Sequence, residues 1–267
     1  MKPQKDSFGL KATTAATFVL MVAVNGMANV LPINKLQTGQ VSDSYPNLFA
    51  PAGATFAIWG LIYLLLAMYT LYQFGLFREK EGSRAGYSEN RVQRIFGLSS
   101  LFNTAWIFAW HYQLIPVSLL LIAGILVCLI LINLELARAS LSGREKVFVR
   151  LPFSVYFGWI TVATIANATT LLVDLGWDGF GLSEPVWTVI ILLVGMLIGV
   201  ATMVRNRSIA YGLVLIWAYG GIWLKHTSAS GFSGRYSQVI ATTLVCIAIY
   251  AAAEGYLLFN ARKTARQ

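Results

Sequence analysis

Apolar runs, each about as long as a bilayer crossing and joined by short polar links, set the pattern of this sequence. A crossing takes about 20 predominantly apolar residues. Eight segments meet that test: 12–32, 52–75, 95–113, 115–136, 149–174, 185–204, 208–225 and 237–260. The pattern predicts an all-α fold, a polytopic membrane bundle of about eight transmembrane helices. Proline placement agrees. Pro51, Pro116, Pro152 and Pro185 each fall at or near the first turn of a span, where a missing N–H does no harm. Pro32 closes the first span, and none of the seven prolines is expected mid-helix. The short link at Gln113–Pro116 predicts a tight helical hairpin between the third and fourth spans.

Composition narrows the class. Of 267 residues, 57% are hydrophobic and 12% charged, against about 25% charged in an ordinary soluble domain. A soluble globular enzyme is excluded. The net charge of +9 raises nucleic acid as a partner, but its placement points elsewhere. One side of the alternating topology holds Lys2, Lys5, Lys11, Arg78, Lys80, Arg84, Arg91, Arg94, Arg138, Arg144, Lys146, Arg150, Arg205, Arg207, Arg262, Lys263 and Arg266. The other keeps Lys35, Lys225 and Arg235, and collects Asp43, Asp174, Asp178 and Glu184. Basic residues mark cytoplasmic loops. The expectation is a multi-pass protein of the plasma (inner) membrane with both termini cytoplasmic, lipid as its partner and no nucleic acid. The lysine-rich start and the small residues near Gly26–Ala28 also fit a signal peptide, but the apolar run exceeds a typical signal core.

The longest links, about 33–51 and 76–94, leave no room for a soluble catalytic or nucleotide-binding domain, and no P-loop, GxGxxG or HExxH pattern occurs. The 76–94 link, charged in both signs, reads as solvated linker. Cys128 and Cys246 both lie within spans, so no disulfide framework is indicated.

Polar and aromatic residues inside spans carry the functional signal, because each costs energy in lipid unless it finds a partner. Asn25 and Asn29 share a face of the first span, Phe56, Trp59 and Tyr63 one of the second, and Asn103, Trp106 and Trp110 one of the third. Trp159, Ala163, Asn167 and Thr170 form a stripe on the fifth. Helix–helix adhesion and interfacial anchoring explain any one of them. Trp110, Trp177, Trp187 and Trp223 fall near the outer boundary and read as belt residues. Trp59, Trp106 and Trp159 lie deeper, and an aromatic-lined cavity with a few amides suits a flat, largely apolar ligand.

These residues resemble the motifs of the TspO/MBR family, the tryptophan-rich sensory and translocator proteins. Pro51-Ala-Gly-Ala-Thr-Phe-Ala-Ile-Trp-Gly-Leu-Ile-Tyr63 is similar to the family's second-helix signature. Leu101-Phe-Asn-Thr-Ala-Trp106 resembles its third-helix Asn-x-x-Trp motif, and Trp159 followed by Asn167 its fifth-helix pattern. The resemblance covers about residues 12–174. It implies a pocket enclosed by five helices, covered by the loop after the first, and a small hydrophobic ligand of tetrapyrrole or porphyrin class. Family members are described as sensors, transporters or tetrapyrrole-degrading enzymes. The resemblance and the stripes together give Pro51, Phe56, Trp59, Tyr63, Asn103, Trp106, Trp159 and Asn167 as ligand-binding residues, with no catalytic and no metal-binding residue assigned.

Two departures stand out. The family's paired prolines reduce to Ala50-Pro51, and three further spans follow. The chain therefore divides into a cytoplasmic N-terminus (1–11), a five-helix unit (12–174), three additional spans (175–260) and a basic tail (261–267). The family's sterol motif is missing from 168–182, and the Leu66, Tyr72, Arg78 match to the sterol pattern is a weak signal. Gly195-Met-Leu-Ile-Gly199 admits a close helix contact, within the bundle or with a second copy in a homo-oligomer. Glu254, roughly 9 Å inside the last span at 1.5 Å per residue, is a candidate proton or ion site, or a carboxylate that snorkels or pairs. His111 and His226 near outer span ends read as interfacial rather than as haem ligands. Three alternatives stay open: a proton-coupled secondary transporter of a small amphipathic substrate, a porphyrin-degrading enzyme, for which no nucleophile–base pair is visible, and a structural membrane subunit.

Overall fold

A computed structural model describes residues 8–31, 33–78 and 86–264. The long helices are α1 Phe8–Val30, α2 Ile58–Gln73, α3 Glu89–His111, α4 Ile115–Ala137, α5 Leu151–Asp174, α6 Glu184–Asn206, α7 Ile209–Thr227 and α8 Ser237–Thr264. No strand occurs among the described residues. Pro32 lies outside the described residues, as do Lys2, Lys5, Lys80, Arg84, Arg266 and the side chain of Arg262.

Six helical runs are long and apolar enough to cross a membrane: Phe8–Val30, Gly53–Gln73, Ile115–Ala137, Gly143–Asp174, Glu184–Asn206 and Ser237–Ala261. The helix α3 is not among them because, besides Asn90, Arg91, Gln93 and Arg94 in its first turns, it carries Ser99, Ser100, Asn103 and His111 further along. In α7, Tyr, Trp and Gly dilute the aliphatic content. The all-helical membrane architecture holds, with six crossings supported by length and composition.

The chain forms two compact units. The first comprises Met1–Gln37 and Trp59–Phe157, the second Thr38–Ile58 and Gly158–Gln267. In the first, α3 packs against both α1 and α4. The α3–α4 hairpin is as tight as the sequence predicts: Gln113 takes a left-handed φ of 57°, and Leu114 N–H bonds the Ala109 carbonyl at 2.8 Å. Pro116 sits in the first turn of α4.

Pro152 corrects the expectation that no proline falls mid-helix. The helical run begins at Gly143, with a Ser142/Glu145 capping box, nine residues before the proline. A proline in a helix removes one i→i−4 bond and crowds the preceding carbonyls. A π-helical turn, Lys146–Arg150, stands immediately before it, with Leu151 N–H bonded to the Lys146 carbonyl. The wider turn re-registers the ladder where proline would break it.

In the second unit α8 packs on α6 and α7. The Gly195/Gly199 pair is filled from within this unit. A Cβ on Gly195 would lie 2.8 Å from Tyr219 Oη, and one on Gly199 2.7 Å from Tyr250 Oη. Tyr219 donates to the Leu192 carbonyl (2.8 Å) and Tyr250 to that of Gly195 (3.2 Å). The small-residue face is thus an internal packing surface.

Candidate functional site

Within the first unit, Trp59 is the hub of an aromatic cluster. Its ring stacks on Tyr63, with centroids 5.5 Å apart, and lies 6.2 Å from Trp106 and 6.0 Å from Tyr156. One helical turn separates Trp59 from Tyr63, and another Trp106 from Trp110, so each pair shares a face. Trp110 stacks on Trp106 at 5.8 Å and is only 5% exposed, so it belongs to this cluster and not to an interfacial belt. Beneath the rings runs a hydrogen-bonded chain. Asn25 Nδ2 donates to Asn103 Oδ1 at 2.7 Å, and Asn103 Nδ2 donates to Tyr156 Oη at 2.9 Å. All three residues are buried, and a satisfied chain of this kind ties three helices together.

Two polar atoms of the cluster are left over. Tyr63 Oη and Trp106 Nε1 are buried without a hydrogen-bond partner among the described residues. By contrast, the Trp217 indole donates to the Thr55 carbonyl (3.0 Å), and that of Trp187 to the Gly179 carbonyl. An unmade hydrogen bond on a buried group costs about 1–3 kcal/mol. Trp59 and Tyr63 are only half-buried, so the stacking surface is not sealed by the unit itself. The cluster offers ring faces and two unspent donors, which suits a planar ligand with peripheral acceptors.

The other expected site residues belong to the second unit. Phe56 sits in the 3₁₀ turn Gly53–Ala57, ahead of α2, and packs edge-on against Trp159, centroids 5.7 Å apart. Pro51 is buried, and Trp159, Asn167 and Thr170 are each 2% exposed along one face of α5. The structure therefore brings Trp59, Tyr63, Asn103 and Trp106 together in one unit, and Phe56 with Trp159 in the other.

The Thr38–Ile58 segment is held by α7. Ala52 N–H bonds the Gly221 carbonyl at 3.0 Å, Trp217 bonds Thr55, and His226 Nε2 lies 2.9 Å from the Leu48 carbonyl. Lys225 Nζ pairs with Asp43 at 2.7 Å. Gly221 is required at this crossing, since a Cβ there would strike the Thr55 side chain. Asn47 closes the turn, its Oδ1 accepting from Phe49 and Ala50 N–H groups. The Ala50-Pro51 stretch is thus ordered by contacts from α7, within the same unit.

Both histidines are fully buried, not interfacial, and each serves a backbone carbonyl: His111 Nδ1 lies 3.1 Å from that of Ile33. Among the described residues no group of three or more His, Cys, Asp or Glu is placed to hold a metal ion. Cys128 and Cys246 are buried free thiols. Of the weak sterol pattern, Leu66 and Tyr72 are turned inward, 0% and 3% exposed. The expected linker 76–94 is folded at its described ends, where Phe77 and Tyr72 each stack on Phe148 and Arg78 pairs with Glu89. Glu254 is 6% exposed, and neither carboxylate oxygen has a hydrogen-bond partner among the described residues. It faces Gly212, where any side chain would meet the Glu254 carboxylate and the Met203 sulfur.

Tyr156 and the hold of α7 on the Thr38–Ile58 segment were not foreseen from the sequence. Tyr156 stands one turn before Trp159, and that i, i+3 spacing was a usable signal. The carbonyl contacts of α7 depend on long-range pairing and leave no local pattern.

A family model described as TSPO-like protein matches residues 11–256. The match continues through α6, α7 and most of α8, past residue 174 where the motif resemblance ends. No curated protein and no solved structure matches the chain.

Proposed function

The chain belongs to the TSPO-like protein family, and from that membership we propose an integral membrane binding protein for a flat, largely apolar ligand of tetrapyrrole class. The observation that carries the reading is the pair of unspent donors, Tyr63 Oη and Trp106 Nε1, flanking the ring of Trp59. Ligand rings replace part of the ring–ring contact with contact of the same kind, so stacking is roughly conserved. The gain comes from hydrogen-bond acceptors supplied to two buried donors. The Asn25–Asn103–Tyr156 chain positions the rings and touches no ligand. Residues 12–174 carry the ligand function, and the later helices order the Thr38–Ile58 segment.

The proposed topology has eight crossings with cytoplasmic termini in the inner membrane, α3 and α7 completing the six apolar spans. The alternation of basic links supports it, and reporter fusions in each link test it. For the ligand, the test is absorption of the purified full chain with protoporphyrin IX. A saturable Soret shift with parallel tryptophan quenching is expected. Quenching that rises linearly, as micelle partitioning gives, would contradict the reading.

A second reading, proton-coupled transport, rests on Glu254. A carboxylate inside a span without a partner costs several kcal/mol unless it takes up a proton or cation, and Gly212 leaves the space it occupies. In proteoliposomes, substrate uptake driven by a pH gradient should vanish in Glu254→Gln. Uptake indifferent to both gradient and substitution would remove this reading.

A further inference from the structure

The second unit contains a cavity of about 420 Å³. It lies where the Asn47 turn meets the end of α5 and the start of α6, and its walls are mainly apolar, with Leu48, Leu172 and Ile191 among them. Two indoles line it, Trp177 and Trp187, with centroids 4.7 Å apart. The Trp187 N–H is committed to the Gly179 carbonyl, so its remaining contribution is its π surface.

The charged groups lining the cavity are of one sign. Asp178 and Glu184 line it, and no Lys, Arg or His does. Each carboxylate is oriented by a backbone donor: Asp178 Oδ1 accepts from Phe180 N–H at 3.0 Å, and Glu184 accepts from Leu48 N–H. Among the described residues neither is neutralised by a salt bridge, and Lys225 is engaged with Asp43. A third carboxylate, Asp174, stands in the same unit, close enough to act on Tyr45. Burial first, and then the Asp174 charge, push the Tyr45 hydroxyl above its ordinary pKa.

An apolar cavity with aromatic walls and only negative charge has a defined complement. We infer that it is a binding site for an organic monocation with an apolar body, such as a quaternary ammonium or phosphonium amphiphile. The body fills a volume within the usual range of small-molecule sites, roughly 300–1,000 Å³. The positive centre is held by the two carboxylates and the indole faces. A neutral ligand would forgo the carboxylates, and an anion would be repelled by them.

The site shares no residue with the Trp59 cluster, so it stands or falls separately. The test is equilibrium dialysis of the detergent-purified full chain with two cations, tetraphenylphosphonium and the smaller benzyltrimethylammonium. Tetraphenylborate serves as an anion matched in shape to the first. Saturable binding of at least one cation at one per chain is expected, undisplaced by tetraphenylborate and weakened about tenfold or more in an Asp178→Asn/Glu184→Gln variant. Trp187→Leu should weaken it as well. Circular dichroism and protoporphyrin titration of the same variants establish that the fold is retained. Absence of saturable binding by both cations, equal affinity in the folded double variant, or competition by tetraphenylborate would overturn the inference.

Discussion

Replacing Tyr63 by Phe distinguishes a ligand-binding hydroxyl from a structural one by the sign of the effect. In the chain without ligand, Tyr63 Oη is buried and finds no hydrogen-bond partner among the described residues, while its ring stacks on Trp59 at 5.5 Å. Phe keeps the ring and the stack. An unsatisfied buried hydroxyl costs about 1–3 kcal/mol. Its removal should therefore stabilise the ligand-free chain, and even 1 kcal/mol raises the unfolding midpoint by roughly 2–4 °C at this size. The bound state loses one hydrogen bond, about 0.5–1.5 kcal/mol; added to the free-state gain, this weakens binding by about 1.5–4.5 kcal/mol, tenfold or more in affinity. Higher stability without ligand and weaker binding with it form a joint signature that a structural hydroxyl cannot produce. Thermal unfolding followed by circular dichroism reads the first, and protoporphyrin IX titration by tryptophan fluorescence reads the second. A lowered midpoint would mean that the hydroxyl already has a partner, and an unchanged Kd that it meets no ligand; either result refutes the reasoning.

Three further outcomes follow from the packing. A Cβ on Gly158 would lie 2.9 Å from the Tyr211 carbonyl oxygen and from Val214 Cβ; backbone cannot swing aside, so Gly158→Ala should cost about 1–3 kcal/mol in denaturant titration. Asn103→Leu removes both bonds of the buried chain and should cost roughly 1–2 kcal/mol, with protoporphyrin affinity falling as the Tyr156 ring loses its anchor. His226→Ala frees the buried Leu48 carbonyl and should speed proteolysis within 38–57, whereas Lys225→Ala removes a partly exposed pair worth about 0–1 kcal/mol and should leave that rate nearly unchanged.

Much of this molecule was legible from apolar run lengths, because lipid imposes one element type and a fixed length on it. Boundaries failed where two signals competed. The polar first turns of α3 are helical but not apolar, and helix capping by Ser88, not hydropathy, decides where that helix starts. Pro152 read as a helix start because a local rule cannot see a π turn prepared ahead of it. Within the site, period-3.6 stripes were enough to group Trp59 with Tyr63 and Asn103 with Trp106. Depth was harder to read: Trp110 looked interfacial by its place near a span end, yet its ring is covered by Trp106. The hold of α7 on the Thr38–Ile58 segment was invisible, since it runs through main-chain carbonyls at Leu48, Thr55 and Gly221 that any residue supplies.

The central claim is that the Trp59 cluster is a stacking site for a flat ligand. Its most direct test is the dissociation constant of protoporphyrin IX for the wild-type chain and for Trp59→Leu, both in lipid nanodiscs. One saturable site is expected in the wild type and an affinity about tenfold or more weaker in the variant, with the helical signal unchanged. Equal affinity in the two proteins would contradict it.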